Sequence, residues 1–289
     1  MSAMHATPPS KASGVRSDSP TSALDFDEAP KSFAAAPAAS TSSSAAAAAS
    51  EYISTVSIEG NIGVGKSTLM AALETALGDE LSIADEPVED WKEAGLLQAM
   101  YEGTLPGPLF QMMVLATRAR AIDAARRGAI LSGCKVLLTE RSLSVGDRAF
   151  ASVHFDPLPA IHGTCYQTAA KALSGLPPSR PERKLLVFID APASVCLERV
   201  RARCRDTEEK IELAYLEQLD RRHHELVAEA EKADEFKVVR VDGLQGPEAI
   251  ARQVLAIVRR FDSRLGAGDD AEGDDAEDAA AAAGGDVPN

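Results

Sequence analysis

The sequence contains few cysteines, and their spacing gives them no evident shared function. The four are Cys134, Cys165, Cys196 and Cys204. They include neither a CxxC pair nor a histidine at the spacing of a zinc site. This excludes a disulfide scaffold and the common zinc modules, and it predicts reduced thiols in the cytosol or in an organelle matrix.

Long apolar runs and an excess of basic charge are also missing. No apolar run approaches the ~18 residues that a membrane-spanning helix needs. The net charge is −14, and within the central region acidic residues slightly outnumber basic ones. The sequence therefore argues against a broad surface for nucleic acid or for a membrane, and it favours a small-molecule partner.

The two ends lack the apolar residues from which a core is built. Residues 1–50 are dominated by Ala, Ser and Pro, and residues 265–289 contain eight acidic residues and no basic one. Both ends are predicted to be disordered, which leaves residues 51–264 as one folded domain. The alanine- and serine-rich arm could also be an organelle transit peptide, but its four acidic residues favour a plain arm on a cytoplasmic protein.

A complete phosphate-binding loop follows the arm. It is the segment Gly60-Asn61-Ile62-Gly63-Val64-Gly65-Lys66-Ser67-Thr68, which fits the pattern GxxxxGK[ST]. Glycines let successive backbone N–H groups turn toward an anion, and a helix that begins near Lys66 adds its positive end. Lys66 is expected to contact the outer phosphates, and the Ser67 hydroxyl to bind Mg²⁺. The loop predicts that the protein binds a nucleoside triphosphate.

Strand-like and helix-like segments alternate along the domain. The strands are predicted at residues 53–58, 81–84, 135–139, 185–189 and 237–241. Helices are predicted after the loop, at 109–127, near 166–173, at 215–235 and at 249–261. A further helix is predicted after the fourth strand, and it carries Arg199, Arg201, Arg203 and Arg205. This alternation predicts an α/β fold with a doubly wound parallel sheet flanked by helices.

Charged residues follow two of the predicted strands. Glu86 comes after the second strand, before Pro87, and Glu140 and Arg141 come after the third. Ligands of parallel α/β sheets bind beyond the carboxyl ends of the strands, so these side chains are expected near the phosphate loop. There Glu140 could hold Mg²⁺, and Arg141 could pair with Glu86. From its position alone, Glu86 could equally be a surface carboxylate.

Two further sets of polar residues have both a functional and a structural explanation. Gln111 and Arg118 share one helix face with apolar residues, which suits the wall of a pocket for a planar polar ligand. Arg118 could instead extend its charge to the surface. Downstream, Arg199, Arg203 and Arg205 belong to an arginine-rich segment that suits either a phosphate clamp or a solvated helix face.

The motifs together resemble the deoxyribonucleoside kinases, a family of P-loop kinases. Besides the phosphate loop, the similar segments are Glu86-Pro87-Val88-Glu89-Asp90-Trp91, Phe110-Gln111, Glu140-Arg141-Ser142, and Arg203-x-Arg205-x-x-Glu208 followed by Tyr215-Leu216. They occur in the order typical of the family across residues 53–225. The resemblance implies a homodimeric enzyme that transfers a phosphoryl group from ATP, with Mg²⁺, to the 5′-hydroxyl of a deoxynucleoside.

The resemblance also implies roles for individual residues. Glu86 corresponds to the general base and Arg141 to its partner, while Ser67 and Glu140 correspond to the magnesium ligands. Gln111 would bind the edge of the nucleobase. Trp91, Phe110 and Phe150 would enclose the base, Tyr101 and Glu208 would bind the 3′-hydroxyl, and Arg199, Arg203 and Arg205 would form a lid over the phosphates.

One position departs from the family pattern. Members that prefer cytosine or purine bases pair the arginine at position 118 with an aspartate four residues after the Ser of Glu-Arg-Ser. That place is taken here by Gly146, and Asp147 follows it. If Asp147 supplies the missing partner of Arg118, the pocket favours deoxycytidine or a purine deoxynucleoside over thymidine.

Two other functions remain open at this point. A nucleoside monophosphate kinase of the thymidylate type would share the loop, but it would need a dedicated cation where Glu86 stands. A GTPase-type switch would need the guanine-binding Asn-Lys-x-Asp motif, which is not in this sequence.

Overall fold

Five parallel strands form the centre of the part of the chain that the structure describes. The structure is a computed structural model, and it describes residues 52–174, 181–203 and 211–266. The strands are β1 (Ile53–Glu59), β2 (Leu81–Ala84), β3 (Val136–Glu140), β4 (Glu182–Asp190) and β5 (Lys237–Asp242). Their order in the sheet is β2-β3-β1-β4-β5, with every neighbouring pair parallel. The predicted doubly wound sheet is confirmed.

Helices connect the strands and cover the sheet. The described helices are α1 (Lys66–Leu77), α2 (Val88–Glu93), α3 (Leu96–Tyr101), α4 (Gly107–Ser132), α5 (Gly146–Phe155), α6 (Ala160–Ser174), α7 (Ala193–Ala202), α8 (Leu213–Lys232) and α9 (Pro247–Phe261). Short 3-10 helices span Gly78–Glu80 and Ser263–Leu265. The helices predicted at 109–127, 166–173, 215–235 and 249–261 are present as α4, α6, α8 and α9, with somewhat different ends.

The alternation of side chains along β4 shows how both faces of the sheet are buried. Leu185, Val187 and Ile189 pack into the largest apolar cluster, together with α1 and α9. Leu186 and Phe188 point to the other face and pack with residues of α5 and α8. A strand that is buried on both faces forms a nearly continuous apolar run, as this strand does.

The position of β1 determines where a ligand can bind. Its neighbours in the sheet are β3 on one side and β4 on the other. The chain runs from β1 to β2 on the β3 side and from β4 to β5 on the opposite side, so the connections that leave the adjacent strands β1 and β4 run in opposite directions. The crevice at such a switch point, beyond the carboxyl ends of the strands, is where open α/β sheets bind ligands. The phosphate loop connects β1 to α1 at this point. Within the described ranges, no helix is both long and apolar enough to cross a membrane.

Candidate active site

The phosphate loop has the glycine-dependent backbone that its sequence predicts. Gly60 and Gly63 have φ angles of +138° and +82°, in a region that other residues rarely adopt. A Cβ atom on Gly60 would lie 2.5 Å from the carbonyl oxygen of Ile189, and one on Gly63 would lie 2.5 Å from that of Cys196. Glycine is therefore required at both positions, by conformation and by space.

Lys66 begins α1 and is almost completely buried beneath the loop. Its Nζ donates hydrogen bonds to the carbonyl oxygens of Gly60, at 3.1 Å, and Asn61, at 2.9 Å. Burial, and to a smaller extent the nearby Arg141, lower the pKa of Lys66 to about 8, against the opposing effect of Glu140. Few negative charges near Lys66 offset the burial of its ammonium group. Bound phosphates would supply such charges and so stabilise the charged form.

Asn61 anchors the loop to another part of the fold. Its side-chain amide donates to the carbonyl oxygen of Leu216 in α8, and its side-chain oxygen accepts from the N–H of Ile62. Val64 is buried, whereas Ser67 and Thr68 are exposed at the start of α1. The loop is thus fixed from below and open on the side toward the crevice.

Ser67 and Glu140 lie side by side at the edge of the loop. The Ser67 hydroxyl is 3.4 Å from Oε2 of Glu140, and Nζ of Lys66 is 3.7 Å from Oε1. Burial alone would raise the pKa of Glu140, but Lys66 and Arg141 outweigh it and lower that pKa. An ionised carboxylate and a hydroxyl are the hard oxygen ligands that suit Mg²⁺. The two residues therefore fit the ion that the sequence predicts.

Glu86 lies just beyond the end of β2 and faces two arginines. Its Oε1 is 3.1 Å from Nη1 of Arg118 and 3.8 Å from Nη1 of Arg141. The side chain is 26% exposed, so it is accessible from the crevice. The structure places Glu86 in the same crevice as the phosphate loop.

Arg141 is held in an unusual backbone conformation. Its φ angle is +65°, which costs a residue other than glycine of the order of 1–2 kcal/mol. The N–H of Arg141 donates to the carbonyl oxygen of Ile58 at the end of β1. Its guanidinium stacks on Phe150 at 4.1 Å from the ring centre, and one end faces Glu86. Phe150, which the sequence predicts to enclose the base, therefore contacts Arg141.

Arg118 and Asp147 form a buried ion pair. Nε of Arg118 donates to Oδ2 of Asp147 at 2.9 Å, and both side chains are 4% exposed. Burial raises the pKa of Asp147, although Arg118 opposes this, and Asp147 and Glu86 raise the pKa of Arg118 despite its burial. Arg118 also donates to the carbonyl oxygen of Glu140 at 2.5 Å. The displacement of the aspartate by one position does not prevent the pair, because Asp147 lies in the first turn of α5.

Trp91 belongs to α2, the helix just after Glu86, and Phe110 and Gln111 belong to α4, the helix that carries Arg118. Trp91 of α2 and Phe110 of α4 meet edge to face, with ring centres 5.9 Å apart. The indole N–H of Trp91 donates to the hydroxyl of Thr117. Gln111 is buried, and within the described part of the chain no hydrogen bond to its side-chain amide is found. An unpaired buried amide suits a ligand that supplies a donor and an acceptor.

The arginine-rich segment is described only in part. Arg199 of α7 donates to the carbonyl oxygens of Val64, at 3.2 Å, and Gly243, at 2.8 Å. It thereby joins the phosphate loop to the turn after β5. Arg203 ends the described segment, while Arg205 and Glu208 lie outside the described residues. Tyr101 ends α3, and its side chain lies outside the description as well.

The sequence predicted no structural role for two residues that organise the site, Glu59 and Gly146. Glu59 ends β1 and is fully buried, with Oε1 accepting from Ser142 and from the N–H of Gly146. A Cβ atom on Gly146 would lie 2.5 Å from Oε2 of Glu59, so the position has no room for a side chain. The available signal was that Glu59 is the single charged residue of a strand, ISTVSIE, that is otherwise apolar or hydroxyl-bearing.

Comparison with known proteins agrees with this geometry. The sequence profile of the family described as deoxynucleoside kinase matches residues 56–261, which span the sheet, the loop and both charged strand ends. The chain belongs to the deoxynucleoside kinase family. As a kinase of this family it is a phosphotransferase, so a pure nucleotide-binding switch is excluded.

Individual relatives of this deoxynucleoside kinase differ in their substrates. It is 29% identical over 221 residues to a thymidine kinase of Ictalurid herpesvirus 1 (strain Auburn), covering 72% of this chain and 87% of the viral one. It is 31% identical over 193 residues to the deoxycytidine kinase of Rattus norvegicus, covering 59% of this chain and 74% of that one. A deoxyadenosine kinase structure from M. mycoides shares the fold, with a TM-score of 0.54, 20% identity and coverage of 71% and 99%.

Proposed function

We propose that this kinase transfers the γ-phosphoryl group of ATP to the 5′-hydroxyl of a deoxynucleoside, with Mg²⁺ held by Ser67 and Glu140. The observation that carries the proposal is the accessible Glu86 carboxylate, which lies in the same crevice as the phosphate loop. A carboxylate at this place can accept a proton from a neutral hydroxyl acceptor.

Each step of this reaction can be assigned to side chains that the structure describes. The 5′-oxygen attacks the γ-phosphorus, the bond from that phosphorus to the β,γ-bridging oxygen breaks, and ADP leaves. Glu86 takes the proton of the 5′-hydroxyl. Lys66 and the loop N–H groups stabilise the phosphates, and Arg141 meets the charge on the transferred group. Bound Mg²⁺ would neutralise phosphate charge beside Ser67 and Glu140.

A nucleoside monophosphate is a less suitable acceptor. Its phosphate would bring at least one negative charge toward Glu86, so it would need cations of its own. The two nearby arginines are already paired, Arg118 with Asp147 and Glu86, and Arg141 with Glu86. The charge arrangement therefore favours a neutral hydroxyl acceptor over a phosphate.

Variants of the phosphate loop test the proposed donor and metal. Lys66→Ala is expected to abolish ATP-dependent phosphorylation of deoxynucleosides, and Ser67→Ala to impair the activity that depends on Mg²⁺. The measurement is initial rate against ATP and Mg²⁺ concentration for wild type and both variants. Wild-type rates in both variants would refute the role of the loop.

We further propose deoxycytidine or a purine deoxynucleoside as the preferred acceptor. Arg118 lies seven residues, about two helical turns, along α4 from Gln111 and pairs with Asp147 of α5. This pair would leave little room for the 5-methyl group of thymine. The similarity to several deoxycytidine kinases supports this, whereas the viral thymidine kinase does not.

The base preference is tested by Arg118→Met combined with Asp147→Ala. Removing both members avoids a buried unpaired charge, which would be destabilising. The double variant is expected to shift kcat/KM toward thymidine relative to deoxycytidine. A wild-type enzyme that already prefers thymidine would overturn the proposal.

A homodimer in the cytoplasm is proposed as well, on the basis of the family resemblance. Light scattering of the purified chain tests the dimer, because a single species at the mass of one chain would refute it. Fluorescent tagging of the full chain tests the compartment, since accumulation in an organelle would show that residues 1–50 act in targeting.

A further inference from the structure

Glu59 connects the phosphate loop to the catalytic turn, defined here as Glu140-Arg141-Ser142. It is the last residue of β1 and directly precedes Gly60. Its Oε1 accepts hydrogen bonds from the N–H of Ser142 at 2.7 Å, from the hydroxyl of Ser142 at 2.7 Å and from the N–H of Gly146 at 3.1 Å. One carboxylate oxygen therefore binds both the catalytic turn and the first residue of α5.

The conformation of the catalytic turn needs such support. Arg141 has a positive φ angle, and strained residues of this kind persist only where surrounding contacts hold them. The N–H of Arg141 is held by Ile58, and the next N–H, that of Ser142, is held by Glu59. Two consecutive residues of β1 thus fix two consecutive amides of the turn.

The other oxygen of Glu59 is buried, and no partner for it is found among the described residues. Burial raises the pKa of Glu59, against the three hydrogen bonds that lower it. An unpaired buried oxygen lowers the stability of the folded protein, so a purely stabilising role does not account for Glu59. Glu59 binds Ser142, the neighbour of Arg141, and the guanidinium of Arg141 contacts Glu86 and Phe150.

We propose that Glu59 is a positioning residue for phosphoryl transfer, which holds the catalytic turn so that Arg141 faces Glu86. The proposal rests on the proposed function, because Arg141 must matter for turnover. Glu59 itself touches no substrate in this account. It acts only through the backbone of the turn.

The first test is a double-mutant cycle between Glu59 and Arg141. Glu59→Ala is expected to lower kcat about 10²-fold, as small displacements of catalytic groups do, with KM for ATP and for the deoxynucleoside little changed. In an Arg141→Ala background, the same change should have almost no further effect on kcat. Losses that multiply would show that Glu59 does not act through Arg141.

The matched control is Ser57→Ala. Ser57 lies two residues earlier on β1 and accepts a hydrogen bond from Thr139 of β3, the residue just before the turn, so its hydrogen bond joins the two strands and not the turn itself. Its removal destabilises the same pair of strands and is expected to leave kcat unchanged. If this control lowered kcat as much as Glu59→Ala, general loosening of the sheet would explain the effect and the proposal would fall.

Hydrogen exchange separates failure of this proposal from failure of the proposed function, because it needs no substrate. The amides of residues 141–147 should exchange faster in Glu59→Ala than in wild type or Ser57→Ala. Unchanged protection would overturn the proposal even in an active enzyme. If Glu59→Ala does not fold, Ser142→Ala replaces it in both experiments. Ser142→Ala should then lower kcat in the wild-type background but not in the Arg141→Ala background.

Discussion

At the scale of single residues, the crevice holds charges of both signs in contact. Glu86 faces Arg118 and Arg141, and Glu140 faces Lys66. In the proposed reaction, these contacts would hold Glu86, Arg141 and Lys66 in place for the transfer. Pre-oriented charges of this kind are the main means by which phosphoryl transfer is catalysed, because little covalent chemistry is required of the protein.

Glu86→Gln is expected to lower kcat by about 10²–10⁴-fold, the usual loss for a general base. The amide has nearly the same shape, so the dissociation constant of the deoxynucleoside should change little. Calorimetric titration gives the binding, and steady-state assays give kcat. Glu89→Gln is the matched control, because Glu89 is exposed and pairs only with Lys92 among the described residues. A Glu86→Gln enzyme with near-normal turnover would end the assignment.

The pKa of Lys66 predicts how activity depends on pH. This pKa is lowered from 10.5 to about 8 by burial and by Arg141, so the free enzyme loses the ammonium charge as the pH rises through about 8. The value of kcat/KM for ATP, which reports on the free enzyme, should fall above that pH. Lys66→Arg is the control, since a guanidinium stays charged there. The same decline in Lys66→Arg would assign the titration to another group.

At the scale of elements, the start of α5 is the most constrained point of the site. Its first residue, Gly146, has no room for a side chain, because a Cβ atom would lie 2.5 Å from Glu59 and 2.6 Å from Arg141. The next residue, Asp147, pairs with Arg118 of α4. The start of α5 therefore contacts three parts of the site: the end of β1, the catalytic turn and α4.

Gly146→Ala should destabilise the protein by about 1–3 kcal/mol, the usual effect of overpacking, and should also lower kcat. The control is Gly128→Ala in α4, where no atom lies within 4 Å of the added methyl group. This control should raise stability by roughly 0.5–1 kcal/mol, because alanine is the better helix former. Denaturant unfolding measures both changes. A Gly146→Ala protein as stable as wild type would contradict the contact.

The elements that could be predicted from sequence are those with a long pattern. Strand β1 has the composition and alternation of a strand, β4 contains an apolar run, and α4 and α8 have enough turns to show helical spacing. The six-residue helices α2 and α3 are too short for that and were not predicted. Glu59 was not singled out because its partners lie 83 and 87 residues away in sequence. Asp147 could not be placed with certainty, since only the packing of α5 on α4 determines which residue reaches Arg118.

At the scale of the whole molecule, the beginning and the end of the described domain are in contact. Arg264 donates to the carbonyl oxygen of Tyr52, and its guanidinium lies 4.0 Å from the centre of that ring. Leu265 packs against the largest apolar cluster. The residues beyond these contacts contribute little apolar sequence, so the fold should not depend on them.

Deleting residues 1–48 and 266–289 is therefore expected to give a soluble core with essentially full activity. A longer deletion that begins at residue 263 is the matched control, because it also removes Arg264 and Leu265, and it should lower the melting temperature. Thermal unfolding and kcat/KM are measured for both. If the shorter deletion already prevented folding, the domain boundaries predicted from sequence would be wrong.

The central claim is that this crevice phosphorylates a hydroxyl group of a deoxynucleoside and not a phosphate. The most direct measurement supplies equal amounts of deoxycytidine and deoxycytidine monophosphate to the wild-type enzyme with ATP and Mg²⁺, and follows the products by ³¹P NMR. We expect deoxycytidine monophosphate to form from deoxycytidine, with ADP as the only diphosphate produced. Accumulation of deoxycytidine diphosphate, with deoxycytidine left unchanged, would contradict the claim.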